Sequence, residues 1–274
     1  MGIVATIRRE LHRQKYRRTI RNNPHIPAKM VFIHTVKTGG TSINSYFKEY
    51  MGSGPGGGMV RFDDFAQTQD KASLIARGRQ ARYVAGHISW NTFQQVCNED
   101  TFSFTIMREP YDRLRSLYHY FRSIPADFRG APLVADVRNM SLAEFLTSNH
   151  EWVRFHADNF VARQFSGSLD VFPANSAERA DFAARAITNL SGVSYMGFHD
   201  DYERAFADIV RVAGLPVPAA SPQINVTAEH LGTATERAAA RAAFDTETRE
   251  LAYPLVEADL IIYNHFDRLR REAG

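Results

Sequence analysis

A single cysteine in 274 residues, Cys97, excludes an intramolecular disulfide, so no covalent staple holds this chain. Its neighbours supply neither a base nor an orienting group, and Cys97 therefore reads as a buried structural thiol in a reducing compartment. Nowhere does an apolar run approach the about 18–20 residues that cross a bilayer, and the N-terminus carries no hydrophobic leader. No two histidines or carboxylates have the spacing of a metal site. Internal repeats are missing as well. What is left is an ordinary globular composition, 44% hydrophobic, which argues against wholesale disorder. The length suits one sizeable α/β domain.

Net charge is low, +3, but unevenly placed. Residues 1–24 hold seven Lys/Arg against one Glu, which leaves the rest of the chain at −3. This basic arm has apolar Ile3, Val4, Ile7 and Leu11 at helical spacing, and residues 25–274 are expected to form a single domain behind it. The plain reading of the arm is a solvated helix leaning on that domain. The sharper readings are contact with an acidic glycan or with an anionic membrane surface. Only Tyr16 interleaves an aromatic ring with these charges, so no nucleic-acid partner is expected.

Short β-like runs at 30–34, 82–87, 103–107 and 194–198 alternate with helical patterns at 41–50, 90–97, 110–121, 177–190 and 201–213. This alternation predicts an α/β fold: a P-loop-like three-layer sandwich with a central parallel sheet and helices on both faces. A glycine-rich loop at 52–58, an excursion over the site at 123–140 and a proline-rich stretch at 215–222 interrupt the pattern. From Ala234 the chain is helical again, and Pro254 is expected to kink or divide that helix.

Two strand-to-helix junctions carry the chemistry. The first is Val31-Phe-Ile-His34-Thr-Val-Lys37-Thr38-Gly39-Gly40-Thr41-Ser42, where a glycine-rich turn opens a helix and leaves backbone N–H groups free for phosphate. Lys37 precedes the glycines, whereas the common nucleoside-triphosphate loop places its lysine after them. In the second, the apolar run 102–107 ends in Arg108-Glu109-Pro110, with Pro110 near the start of a helix that carries Ser116. Arginine offers a planar fork of donors and serine a hydroxyl, both suited to phosphate. Both junctions fall at the carboxyl ends of strands, where ligands of parallel sheets bind.

These two segments, Lys37-Thr38-Gly39-Gly40-Thr41-Ser42 and Arg108-Glu109-Pro110-x-x-Arg113-x-x-Ser116-x-Tyr118, resemble those of sulfotransferases that use 3′-phosphoadenosine 5′-phosphosulfate (PAPS). The resemblance implies that the first loop holds the 5′-phosphosulfate and that Arg108 and Ser116 hold the 3′-phosphate. It implies PAPS as donor, adenosine 3′,5′-bisphosphate as product and no metal. Val36 departs from the proline of many relatives, which touches loop rigidity more than charge. Asn225 is given, on the same resemblance, a place closing over the nucleotide.

Lys37 is the candidate for stabilising the departing phosphate. Histidine gains and loses a proton near neutral pH, and His87 stands at the ligand end of a strand, which makes it the candidate base. Gly86-His87-Ile88 also resembles the catalytic-histidine segment of heparan sulfate 2-O-sulfotransferase and its relatives. His34 competes for that role, and His119 and His156 are candidate acceptor contacts. The segment 158–167 resembles one bordering the acceptor groove of carbohydrate sulfotransferases, which nominates Asn159 and Arg163, with Trp90 to stack on a sugar. No lysine follows Lys71, so the C-terminal Arg-Lys-Gly motif of cytosolic small-molecule sulfotransferases is not present. The expected acceptor is therefore a hydroxyl of a carbohydrate or glycolipid. Golgi members of the family carry a membrane anchor; without one the chain is expected in the cytoplasm, at most peripheral on a membrane surface. The rival readings are an ATP- and Mg-dependent kinase of the P-loop type and a non-catalytic protein that binds acidic glycans through residues 1–24.

Overall fold

The computed structural model describes residues 11, 14–16, 23–51, 58–62, 70–124, 134–222 and 233–273. In chain order its first elements are β1 (Lys29–Ile33), α1 (Gly40–Met51), β2 (Met59–Phe62), α2 (Lys71–Gln80), β3 (Tyr83–Gly86), α3 (Trp90–Val96), β4 (Thr101–Met107) and α4 (Pro110–Ser123). There follow α5 (Leu142–Thr147), α6 (Glu151–Ala157), α7 (Phe160–Ser166), α8 (Ser176–Leu190), β5 (Tyr195–Phe198), α9 (Tyr202–Val212), α10 (Ala234–Ala239) and α11 (Thr246–Ala273). They group into two compact units. A sheet unit comprises Met1–Thr35, Gly39–Met107 and Val193–Ile224; a helical unit comprises Val36–Thr38, Arg108–Gly192 and Asn225–Gly274.

In the sheet unit the strand order is β2-β3-β1-β4-β5, and every neighbouring pair is parallel. Helices α1 and α9 bury Ile43, Phe47, Phe206 and Ile209 against Met30, Phe32, Tyr83 and Phe104. Phe32 stacks on Phe104 at 4.7 Å and Phe47 on Tyr83 at 4.5 Å. Each such side chain contributes roughly 1.5–3 kcal/mol by leaving water. Lys29 neighbours Met30 on β1 and so points to the opposite face. There its ammonium donates to the carbonyls of Gly78 and, at 3.0 Å, Arg79, where α2 ends. Helices thus lie on both faces of a parallel sheet, and the expected α/β fold class holds.

Elements β2, α2, α5, α6 and α7 lie outside the strands and helices expected from sequence. β2 spans four residues, of which Met59 and Val60 are buried, too short a run for alternation to stand out. α2 buries only Leu74, Ile75 and Gly78 over ten residues, so its apolar stripe is faint. Its start is nevertheless marked: the Asp70 carboxylate accepts from the Ala72 N–H at 3.0 Å.

The helical unit is organised around α4. The Glu109 carboxylate accepts from the Asp112 N–H at 2.8 Å and caps the helix, while Pro110 occupies its first turn. Leu114, Leu117, Tyr118 and Phe121 pack with Phe145, Val153, Phe160 and Val256. Val134 and Val137 are buried in this same core, so the described part of the stretch expected as a surface excursion is anchored in the interior. At the centre the guanidinium of Arg113 meets Asp259 at 3.3 Å, both fully buried, and donates to the carbonyls of His156 and Ala157.

Pro254 does not divide the C-terminal helix: α11 runs unbroken from Thr246 to Ala273. Just beyond the proline the carboxamide of Asn159 is inserted into the helical ladder. Its Nδ2 donates to the Pro254 carbonyl at 2.9 Å and its Oδ1 accepts from the Ala258 N–H at 2.8 Å. Those two backbone groups would otherwise bond to each other, four residues apart. The Asn159 N–H also donates to the Leu255 carbonyl at 2.6 Å, and Asn159 holds a left-handed φ of 46° that asparagine tolerates better than most residues. Replacing Asn159 with alanine removes both carboxamide bonds, and unfolding free energy is expected to fall by about 1–3 kcal/mol, at roughly 0.5–1.5 kcal/mol per bond. Chemical denaturation measures this, and a loss under about 0.5 kcal/mol would show the splint to be idle.

Candidate active site

In the sheet unit β1 and β3 are adjacent and parallel, with Ile33 opposite Gly86. The residues that follow, His34 and His87, therefore leave the sheet side by side, their ring centroids 4.6 Å apart. The His34 N–H donates to the Gly86 carbonyl at 3.0 Å, and its ring stacks on Phe32 at 5.0 Å. That ring also lies against the start of α1. A Cβ at Gly40 would stand 2.2 Å from His34 Nε2, so any larger residue there would displace the His34 ring. His34 thus stands between the glycine turn and His87.

Gly39 is constrained twice. Its φ is +86°, and a Cβ would fall 2.6 Å from the Tyr202 ring. The Tyr202 hydroxyl donates to the Gly39 carbonyl at 2.8 Å, and burial pushes its phenol pKa above the usual range. Tyr202 opens α9, far along the chain, and no local pattern marks it as a partner of the turn. α1 begins at Gly40 without an acidic residue in its first turn, so nothing there opposes an anion at the positive end of the helix. Ser42 is buried and Thr41 exposed. Trp90 is the first residue of α3, half-buried, its ring 4.7 Å from Phe93.

In the helical unit Lys37 holds a left-handed φ of 67°, a conformation a lysine adopts only when its surroundings impose it. Arg108 imposes part of it by donating from a terminal guanidinium nitrogen to the Lys37 carbonyl at 3.0 Å. The Lys37 ammonium lies 4.1 Å from the centroid of the Tyr120 ring. Desolvation, with the Arg108 charge added, lowers the Lys37 pKa to about 7. Burial likewise lowers Arg108 to about 10, Asp112 partly offsetting it. Among the described residues no partner meets the buried Nε of Arg108. Ser116 is half-buried on α4, one turn from Asp112 and one from Tyr120, so these three share a face.

The other nominated residues take different places. Asn159 is committed to α11, as described. Arg163 is fully buried: its Nε donates to the Asp158 carbonyl at 2.7 Å and its other nitrogens to the carbonyls of Leu169 and Phe155. Neither side chain is presented for an acceptor. His156 is buried too, its Nδ1 2.9 Å from the Trp152 carbonyl and its ring against Phe160, and His119 is buried beside Tyr118. Cys97 is half-buried rather than buried, its Sγ 3.6 Å from the Gln94 carbonyl. Asn225 and most of the basic arm lie outside the described residues; Tyr16, within the arm, is buried beside Tyr50 at 6.4 Å.

Among the described residues no group of three or more His, Cys, Asp or Glu is placed to hold a metal, and no helix is long and apolar enough to cross a membrane. No curated protein matches the chain. A family model does: that of the sulfotransferase family, over residues 20–267. With a glycine turn opening α1, a histidine pair at the ends of β1 and β3 and a half-buried lysine bonded to an arginine at the start of α4, the chain belongs to the sulfotransferase family.

Proposed function

We propose that this protein transfers a sulfuryl group from PAPS to a hydroxyl of a carbohydrate or glycolipid. The observation that carries the donor assignment is the cationic pair of the helical unit. Lys37 and Arg108 are desolvated next to each other, each with its pKa lowered, and one guanidinium N–H is orphaned. A phosphate placed beside this pair would favour the charged form of both groups. The residues present therefore fit a phosphorylated nucleotide. Lys37 would meet the 5′-phosphosulfate, with Thr38, Gly39, Gly40, Thr41 and Ser42 of the same loop donating N–H and hydroxyl groups. Arg108 and Ser116 would receive the 3′-phosphate.

In the reaction the acceptor oxygen forms a bond to sulfur while the bond from sulfur to the bridging phosphate oxygen breaks. His87 takes the hydroxyl proton, and Lys37 stabilises the charge that develops on the departing phosphate oxygen. The work is positioning and charge neutralisation, which the two junctions are suited to perform. On the acceptor side Trp90 remains the candidate for stacking on a sugar, since Asn159 and Arg163 are used in the interior.

Calorimetry with adenosine 3′,5′-bisphosphate beside ADP, and beside ATP with Mg²⁺, tests the donor. Charge-assisted contacts to the 3′-phosphate favour the bisphosphate over ADP by about 1.5–3 kcal/mol. Tighter binding of ATP with Mg²⁺ would overturn the proposal in favour of phosphoryl transfer. The pH dependence is a second check. With a pKa of about 7, Lys37 in the free protein loses its proton as pH rises past neutrality. A bound phosphate favours the ammonium and raises that pKa, so binding above pH 7 must take up a proton. Affinity for the bisphosphate is then expected to fall by up to about tenfold per pH unit above 7, until the bound-state pKa is reached. A flat profile between pH 7 and 9 would remove Lys37 from the phosphate site.

A further inference from the structure

We propose that Tyr120 is a positioning residue for Lys37: the face of its ring receives the lysine ammonium and aims it from the left-handed turn. The inference rests on the reading of Lys37 as the group that meets the departing phosphate. Three observations converge on it within the helical unit. The ammonium nitrogen lies 4.1 Å from the ring centroid, within the range of a cation–π contact. The backbone beneath it is held at φ 67°, with the Lys37 carbonyl bonded to Arg108 at 3.0 Å. Tyr120 stands one helical turn beyond Ser116, so the ring belongs to the face of α4 that carries the nominated 3′-phosphate ligand.

The choice of an aromatic ring has a physical logic. A carboxylate in that place would also hold the ammonium, but it would neutralise the site and repel an incoming phosphosulfate. A ring face attracts the cation through its quadrupole and adds no net charge. The lysine is thereby kept in one direction despite the neighbouring Arg108, whose charge works against its protonation. The attraction is weak enough for an anion to outbid it. Only the ring is required, so the phenol hydroxyl of Tyr120 is dispensable for this purpose.

The chain has five lysines, Lys15, Lys29, Lys37, Lys48 and Lys71, few enough for each to be followed by NMR in protein labelled only at lysine. Lys37→Arg assigns the signal of interest by removing it. In the unaltered protein the Lys37 ε-methylene protons are expected upfield of the other lysines, shifted by the ring current. Tyr120→Phe should keep that shift, leave the Lys37 titration midpoint in place and keep turnover within about twofold. Tyr120→Leu and Tyr120→Met should lose the shift, move the midpoint to lower pH and lower kcat by about tenfold while the KM for PAPS changes little. Two variants guard against one failing to fold. Absence of the ring-current shift in the unaltered protein overturns the proposal without recourse to any variant, and so does unchanged kcat in a folded Leu or Met variant. If the shift is present but adenosine 3′,5′-bisphosphate does not bind, the contact stands and the donor assignment falls.

Discussion

Replacing His87 with alanine is expected to lower turnover by about 10²–10⁴ while leaving affinity for adenosine 3′,5′-bisphosphate unchanged. The size follows from the loss of a positioned proton acceptor. The unchanged affinity follows from the assignment, which places the phosphate ligands elsewhere in the chain. His34 is the necessary control, because its ring lies 4.6 Å from that of His87. His34→Gln should disturb nucleotide binding more than His87→Ala does, since the His34 ring rests against Gly40 at the start of α1. Steady-state turnover and calorimetry on both variants decide between them. If His34→Gln abolishes turnover while His87→Ala leaves it near normal, the two histidines exchange roles.

Lys37→Met is expected to cost about 10²–10³ in kcat, the range seen when a donor aimed at developing negative charge is removed. Methionine keeps much of the side-chain length and apolar stem, so the loss reports the charge rather than packing. Product affinity should fall less than kcat, because the bridging oxygen carries its greatest charge as the bond to sulfur breaks. Lys37→Arg is no conservative control: a planar guanidinium next to Arg108 presents a different fork to the phosphate and cannot share a small space in the same way. A kcat within threefold of the unaltered protein in Lys37→Met would remove the lysine from the chemistry and, with it, the role given to Tyr120.

How much of this was legible beforehand differs by element. The strands at β1, β3, β4 and β5 and the helices α1, α4, α8 and α9 are announced by short apolar runs, by amphipathic spacing and by punctuation such as Pro110. β2 and α2 escaped because each buries too few side chains for a period to show. Pro254 misled for a different reason. Proline removes a donor from a helix wherever it stands, but whether the helix then breaks depends on how the rest of it is held. Here the stretch after Pro254 is tied to Asn159, nearly a hundred residues earlier in the chain, through the Pro254 carbonyl and the Ala258 N–H, and to Arg113 through Asp259.

The same division runs through the candidate site. Local sequence determined the glycine turn, the position of Lys37 before it and the order strand, arginine, proline, helix, since each depends on backbone conformations set within a few residues. It also placed His87 at a strand end. Only the tertiary structure decided which side chains face which. It set His34 beside His87 through the register of β1 and β3, pressed Tyr202 onto Gly39, laid Lys37 over Tyr120, and drew Asn159 and Arg163 into the interior. A one-letter pattern records what a residue can bond to, but its actual partner is fixed by strand register and helix packing across long sequence distances.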